Sequence, residues 1–232
     1  GVKLLALDTS SLACSAAIQV GDALVQRHEE QPREHTRLLM PMIRSLLEDA
    51  SVGLPELDAI VLGNGPGSFI GMRIAASVAQ GLAFGASLRI APVSSLAAIA
   101  VRAFENAETR EVVVAQDAHM NEVYLGVYER GDDGLPSPRV AERLQVIDTI
   151  PELEPATATG RVAAGFGWQR YPDLLEINRD RLAFDTGIPH PRAVDLLGLG
   201  ARLVQSGKTV LPQDVVPAYL RQKVAEKPSA GP

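Results

Sequence analysis

Asn64-Gly65-Pro66-Gly67-Ser68-Phe69-Ile70-Gly71-Met72-Arg73 is the stretch that decides how this chain folds. An apolar run, Leu57 to Leu62, leads into it, and a helix-patterned segment, Met72 to Phe84, leads out. A strand, a glycine-rich turn and a helix N-terminus together turn backbone N–H groups toward a ligand or a partner. No lysine follows the turn, so the phosphate-loop pattern G-x-x-x-x-G-K-[ST] fails, and the G-x-S-x-G nucleophile elbow fails with it. Ser68 falls where a helix cap belongs and has no recognisable base that would make it a nucleophile.

The same alternation extends on both sides. Upstream, Val2 to Leu7 reads as a buried strand broken by Asp8-Thr9-Ser10-Ser11. Cys14 to Val20 and Ala23 to His28 read as a hairpin about Gly21-Asp22. Leu38, Leu39, Met42, Ile43, Leu46 and Leu47 follow helical spacing, with Pro41 expected to kink or restart that helix. Asp58 to Leu62 is the strand before the glycine turn. Arg89 to Pro92 is a further strand, and Ser95 to Phe104 a helix capped by Ser94 or Ser95.

After a polar stretch, Glu105 to Arg110, paired strands begin again: Val112 to Gln116 and Glu122 to Glu129 around Asp117-Ala118-His119, then Arg139 to Val146 beyond the turn Gly131-Asp132-Asp133-Gly134. Ile150 to Thr159 reads as a loop, Arg161 to Ala164 as a strand, Arg192 to Ser206 as a helix, and Glu226 to Pro232 as a frayed end. Hairpins feeding a mixed sheet, twice over, predict an α/β protein of two related lobes, residues 1–105 and 106–232. The last helical segment is expected to pack back on the first lobe.

Composition excludes several classes. At 232 residues with 46% hydrophobic side chains, there is ample material for a core. Aromatics are only 4%, so that core is built from alanine, leucine and valine, which suits helices packed closely on a sheet. The net charge of −6 and the absence of a basic block argue against a protein that grips nucleic acid by itself. A single cysteine, Cys14, rules out an internal disulfide and reads as a plain strand residue. No signal-peptide pattern opens the chain, and no apolar run reaches the roughly 20 residues of a membrane span. A cytoplasmic protein without a membrane segment is the expectation.

Six segments together carry a resemblance. They are Leu7-Asp8-Thr9-Ser10, Glu34-His35-Thr36-Arg37-Leu38-Leu39, Gly63-Asn64-Gly65-Pro66-Gly67-Ser68-Phe69, Gly71-Met72-Arg73, Asp117 to Tyr124, and Pro217-Ala218-Tyr219-Leu220-Arg221. In this order they resemble the TsaB (YeaZ) family. The resemblance implies a two-lobed actin-like (ASKHA) fold with mixed sheets flanked by helices. It also implies a role in making threonylcarbamoyl-adenosine beside the tRNA anticodon, as a partner of the transferase TsaD, joined by the ATPase TsaE. tRNA is then met only through the complex.

The resemblance also implies that this chain is the non-catalytic member. TsaD holds a metal through a His-x-x-x-His pair after a strand and Pro-Val, whereas here Ser95 and Ile99 stand at those places. An isoleucine offers no lone pair, and the histidines 28, 35, 119 and 190 contain no i, i+3 or i, i+4 pair. No metal and no cofactor are therefore expected. Asp8, Thr9, Ser10 and Asp117 are the vestigial phosphate-loop candidates, Asp117 because a fixed carboxylate there opposes polyphosphate. Their plain reading is turn chemistry, carboxylate and hydroxyls capping nearby N–H groups.

What remains is a surface. Gly71, Ala75, Ala79 and Ala83 form one row of the second helix, and Ile74, Val78 and Leu82 the next. The expected partner interface comprises His35, Leu38, Leu39, Met42, Ile43 and Leu46 of the first helix with Arg73, Ile74, Ala75, Ala76, Val78 and Ala79 of the second. The same face would pair two copies of the chain when TsaD is absent. The rival readings are an ATP-binding enzyme of the same fold and a glycoprotease-like peptidase.

Overall fold

The computed structural model of the protein describes residues 1–155 and 160–220. Three antiparallel strands open it: β1 (Lys3–Asp8), β2 (Cys14–Val20) and β3 (Ala23–Glu29). Helix α1 (His35–Ala50) leads to β4 (Ala59–Gly63), α2 (Phe69–Ala86), β5 (Ile90–Val93) and α3 (Ser95–Asn106). The pattern then repeats with β6 (Glu111–Asp117), β7 (Glu122–Arg130), β8 (Pro136–Val146) and β9 (Arg161–Ala164). Two short helices, α4 (Gly167–Arg170) and α5 (Pro172–Ile177), precede β10 (Phe184–Asp185), and α6 (Leu197–Gln205) follows a 3-10 turn, Ala193–Leu196.

The two sheets have one topology. The first runs β3-β2-β1-β4-β5 and the second, read from its other end, β8-β7-β6-β9-β10. In each, three strands are antiparallel and two more join in parallel, the last two linked through helices (α2 in the first sheet, α4 and α5 in the second), while α1 has no counterpart among the described residues between β8 and β9. The expected duplication is therefore present strand for strand.

Side-chain alternation builds the layers. In β1, Leu4 and Ala6 face α3 and α6, whereas Leu5 and Leu7 face α1 and α2. In β6, Val112 and Val114 share the first of these cores, while Val113 and Ala115 turn to Trp168 and Leu174 of α4 and α5. Helices α3 and α6 are thus sandwiched between the sheets, and the other helices cover the outer faces. Helix α6 fits only because Gly200 lies against β4: a Cβ there would sit 2.3 Å from Val61 Cγ2.

Several local expectations change. Helix α1 runs through Pro41 without a break; Pro41 and Arg37, whose carbonyl loses its donor, both lie on the exposed face. Helix α2 starts at Phe69, three residues before the expected Met72, because Ser68 Oγ accepts the Gly71 N–H. It also meets, by length and composition alone, the test for a membrane span that no run was expected to meet: 18 residues of mean hydropathy 1.3. Its alanine row is nonetheless locked into the first sheet's outer core. The stretch from Ile150 is irregular as expected, with Ile150 and Leu153 buried in the core, and residues 156–159 and the expected frayed end, Glu226 to Pro232, lie outside the described residues.

Candidate functional site

The glycine turn is built to receive the loop after β1. A Cβ on Gly67 would lie 2.3 Å from the Ser10 carbonyl oxygen, and one on Gly71 2.3 Å from that of Thr9. Ser68 N–H donates to the Ser10 carbonyl at 2.8 Å. The turn's close backbone approach is therefore to another loop of the chain.

The side chains of that loop are consumed by the fold. Asp8 Oδ1 accepts from Ser10 N–H at 2.9 Å and Ser10 Oγ–H at 2.7 Å, and Oδ2 accepts from Ser95 Oγ–H at 2.7 Å. Burial pushes the Asp8 carboxyl up, and these hydrogen bonds pull it back. Thr9 Oγ1 donates to the Gly71 carbonyl at 2.6 Å and accepts from Ala75 N–H at 3.0 Å. Asp8 and Thr9 thus hold β1 to α2 and α3 and do not line the cleft between the lobes. At both positions this is the turn-and-cap chemistry given above as their plain reading.

That cleft, about 550 Å³, lies between the N-terminal ends of α1 and α2 on one side and the β6–β7 hairpin on the other. Ser10, Ser11 and Leu12 form its floor, and Asp117, Phe166 and His190 its far wall. Asp117 Oδ1 accepts from His119 N–H at 2.9 Å and Tyr171 O–H at 2.8 Å, and Arg170 lies 3.9 Å from Oδ2. The hairpin tip carries three consecutive non-glycine residues with positive φ, His119 (62°), Met120 (52°) and Asn121 (58°).

The lobes are tied behind the cleft by groups that sequence reasoning did not find. Ala193 N–H donates to Ser15 Oγ at 2.8 Å, and Ser15 Oγ contacts His28 Nδ1 at 2.9 Å. His28 Nε2 meets Glu30 Oε1 at 3.1 Å. With Ser15 accepting from Ala193, its hydroxyl proton goes to Nδ1 and the ring donates through Nε2. Burial holds the His28 pKa below the usual imidazole value, consistent with that neutral ring. The chain Ser15–His28–Glu30 has the residue types of a catalytic triad, but Ser15 is fully buried and already accepts an N–H. Elsewhere Arg102 grips Asp195 at 2.8 and 3.3 Å, and Ser94 and Tyr128 both donate to Glu142. No local motif announces the ties between the lobes, because Ser15 and Ala193, Arg102 and Asp195, and Ser94 and Glu142 stand 178, 93 and 48 positions apart.

Two comparisons decide the family. A family profile described as TsaD, tRNA N6-adenosine threonylcarbamoyltransferase, matches residues 27–153, more than half of the chain. The tRNA threonylcarbamoyladenosine biosynthesis protein TsaB of Escherichia coli (strain K12) is 36% identical over 231 residues, covering 99% of this chain and 99% of its own. The chain belongs to the TsaB/YeaZ family. The TsaB of Haemophilus influenzae is likewise 36% identical, over 241 residues, covering 99% of this chain and 98% of its own. Among solved structures, YeaZ from Pseudomonas aeruginosa superposes with a TM-score of 0.84 at 35% identity, covering 95% of this chain and 100% of that one. A crystal structure from the same organism, described as an uncharacterized protein with similarity to peptidase YEAZ, superposes with a TM-score of 0.86 at 36% identity and the same coverage. The two matched sheets are the duplicated lobes of the actin-like fold of this TsaB/YeaZ family.

Within that fold, Ser95 Oγ accepts the Gly65 N–H at 3.0 Å and donates to Asp8, tying the glycine turn to β1. Ile99 is buried core. Among the described residues no three His, Cys, Asp or Glu side chains cluster as metal ligands.

The expected interface residues divide. Leu39, Met42, Ile43, Leu46, Ala75, Ala76 and Ala79 are packed inside the protein's own outer core and do not present a surface, a correction to the reading of the helix faces. Small and aliphatic residues at i, i+4 fit a sheet as well as a partner, which is why the pattern pointed to the wrong face. His35 is also buried, its Nε2 donating to the Ser11 carbonyl at 2.7 Å. Leu38, Ile74 and Val78 are half-buried, and Arg73 is exposed. The uncovered face of α2 lies one step round the helix, at Ile70 (71% exposed), Ser77, Gly81, Phe84 (81% exposed) and Gly85. Its N-terminal end carries a stack in which the Arg73 guanidinium sits 4.1 Å over the Phe69 ring and Nε donates to Tyr219 Oη at 3.2 Å.

Proposed function

We propose that this chain is the non-catalytic subunit that binds and activates TsaD for threonylcarbamoyl transfer to the adenosine beside the tRNA anticodon. The observation that carries the reading is the outer face of α2. Phe84 stands out in water beside Gly81 and Gly85, where an added Cβ would meet nothing within 4 Å, and Ile70 stands out near the start of the same helix. Each exposed glycine costs a helix about 1 kcal/mol against alanine, and nothing among the described residues fills the space beside Gly81 or Gly85. Two glycines one turn apart permit close backbone approach by another helix, and the flanking apolar side chains supply area. TsaD is the partner, TsaE joins the pair, and a second copy of the chain takes the same face when TsaD is absent. The names of the Escherichia coli and Haemophilus influenzae relatives, both tRNA threonylcarbamoyladenosine biosynthesis proteins, support the pathway.

Catalysis by this chain draws no support from the cleft. Asp8 and Thr9 are engaged in holding the fold, and the Ser15 hydroxyl has no access to a substrate. The test is reconstitution of threonylcarbamoyl transfer with TsaD, TsaE, the adenylate-forming enzyme and tRNA. Activity should require this chain and fall at least tenfold with Gly81→Leu or Phe84→Asp. Undiminished transfer without the chain, or turnover by the chain alone, overturns the proposal.

A further inference from the structure

Arg73 is the one charged side chain of α2, which contains no aspartate, glutamate or lysine from Phe69 to Ala86. It is exposed, yet its head is held in place. The guanidinium lies 4.1 Å over the Phe69 ring, Nε donates to Tyr219 Oη at 3.2 Å, and the two rings stand 5.4 Å apart. An exposed arginine ordinarily gives up much rotamer freedom when it binds a partner. Here the aromatic pair has removed most of that freedom beforehand.

The held head still lacks a counter-ion. Nε is the only nitrogen of this guanidinium with an acceptor among the described residues, so Nη1 and Nη2 remain as a two-pronged donor. The Tyr219 hydroxyl accepts from Nε and keeps its own proton for a further acceptor. Acids of the neighbouring segments are engaged elsewhere: Glu34 with Arg37, Asp49 with Arg27, and Glu56 with the Gly53 N–H. Glu48, in the last turn of α1, and Asp214, in the 3-10 turn beside α2, make no ion pair with Arg73.

We infer that Arg73 is the polar anchor of the α2 docking face and takes the carboxylate of an aspartate or glutamate side chain on TsaD, an inference that rests on the function proposed above. One cation with a free fork matches one carboxylate, which it can hold by two parallel N–H bonds. A nucleic-acid backbone calls for several cations together, and the nearest one along α1, Arg37, is already paired. The surroundings are those of a protein contact: Phe69 is 55% exposed, Ile70 71% and Val216, three residues before Tyr219, 76%. Covered by a partner, these side chains exclude water from the ion pair and strengthen it. A second copy of this chain has no carboxylate on its own α2 to offer, so the contact favours TsaD over self-pairing.

The experiment is isothermal titration of TsaD into the full chain, with self-association followed in parallel by sedimentation. Arg73→Gln should weaken TsaD binding about 30-fold. Arg73→Lys keeps the charge but loses the fork, and should weaken it about tenfold. Self-association of Arg73→Gln should stay within about twofold of the parent. Exposed aspartates and glutamates of TsaD are then replaced singly by their amides. One of these changes should cost about as much as Arg73→Gln, and adding Arg73→Gln to it should cost less than about threefold more. Failure of TsaD to bind the parent chain overturns the proposed function and this inference with it. Binding by the parent that Arg73→Gln leaves unchanged, equal weakening of self-association, or no TsaD carboxylate coupled to Arg73 overturns the inference alone.

Discussion

Replacing Gly200 by alanine should loosen the second lobe from the first, and the size of the effect follows from one contact. The added Cβ would stand 2.3 Å from Val61 Cγ2, 2.6 Å from Cγ1 and 3.0 Å from Cβ. Ordinary contact begins near 3.4 Å, so α6 must lift from β4 by about 1 Å. Rotating Val61 does not help, because both methyls and the Cβ are in the way. Overpacking of this kind costs about 3 kcal/mol, and the better helix propensity of alanine offsets about 1 kcal/mol of it. The net loss of about 2 kcal/mol lowers the melting temperature by about 4–8 °C in a chain of this length. Val61→Ala alone should cost about 2 kcal/mol through the cavity it leaves. In the double variant the new methyl occupies that cavity, so the paired change should be at least 1 kcal/mol less damaging than the sum of the singles. Urea denaturation of all four proteins measures the cycle. Strict additivity, or a Gly200→Ala protein as stable as its parent, would refute the claim that α6 is pressed directly on β4.

The same substitution one helix away should do the opposite. Gly81→Ala, with nothing within 4 Å of the new methyl, should stabilise the isolated chain by about 0.5–1 kcal/mol in the same denaturation assay. Asp195 has its pKa raised to about 6 by burial, with the Arg102 guanidinium beside it pulling the other way. A carboxyl raised on folding contributes its full stability below the unfolded value of 3.8 and loses it as pH climbs through about 6. Stability of Asp195→Asn relative to the parent should therefore improve between pH 4 and pH 7 by about 2.5 kcal/mol, and a pH-independent difference would count against the burial argument. Ser95→Ala should cost about 1–3 kcal/mol, since it strips the Gly65 N–H and the Asp8 carboxylate of one partner each, and hydrogen exchange at the Gly65 amide should quicken in step.

Much of the architecture was legible in the order of residues, because alternation and glycine placement are local signals. Leu4 to Leu7 alternate between two cores whichever lobe follows, and Gly65 to Gly71 mark a turn whatever packs on it. The repeated order of hairpin, crossover and helix announced two like sheets. Ser68 and Ser94 were readable as caps for the same reason, since each bonds to an N–H within three residues.

The side chains' duties were a different matter. Asp8, Thr9 and Ser95 are the residue types of a reactive loop, and only their mutual hydrogen bonds across 60 to 90 positions show that they fasten strands and helices together. Helical spacing placed Ala75 and Ala79 on one row of α2 but left open whether sheet or solvent lay beyond it; the sheet does, and the free face is the neighbouring one, with Gly81 and Phe84. The cleft imidazoles His35 and His190 come from opposite lobes, 155 residues apart in number, so no window of sequence contains both. Periodicity reports which residues share a side of an element. Which neighbour occupies that side is set by packing between distant segments, and that decision exists only in three dimensions.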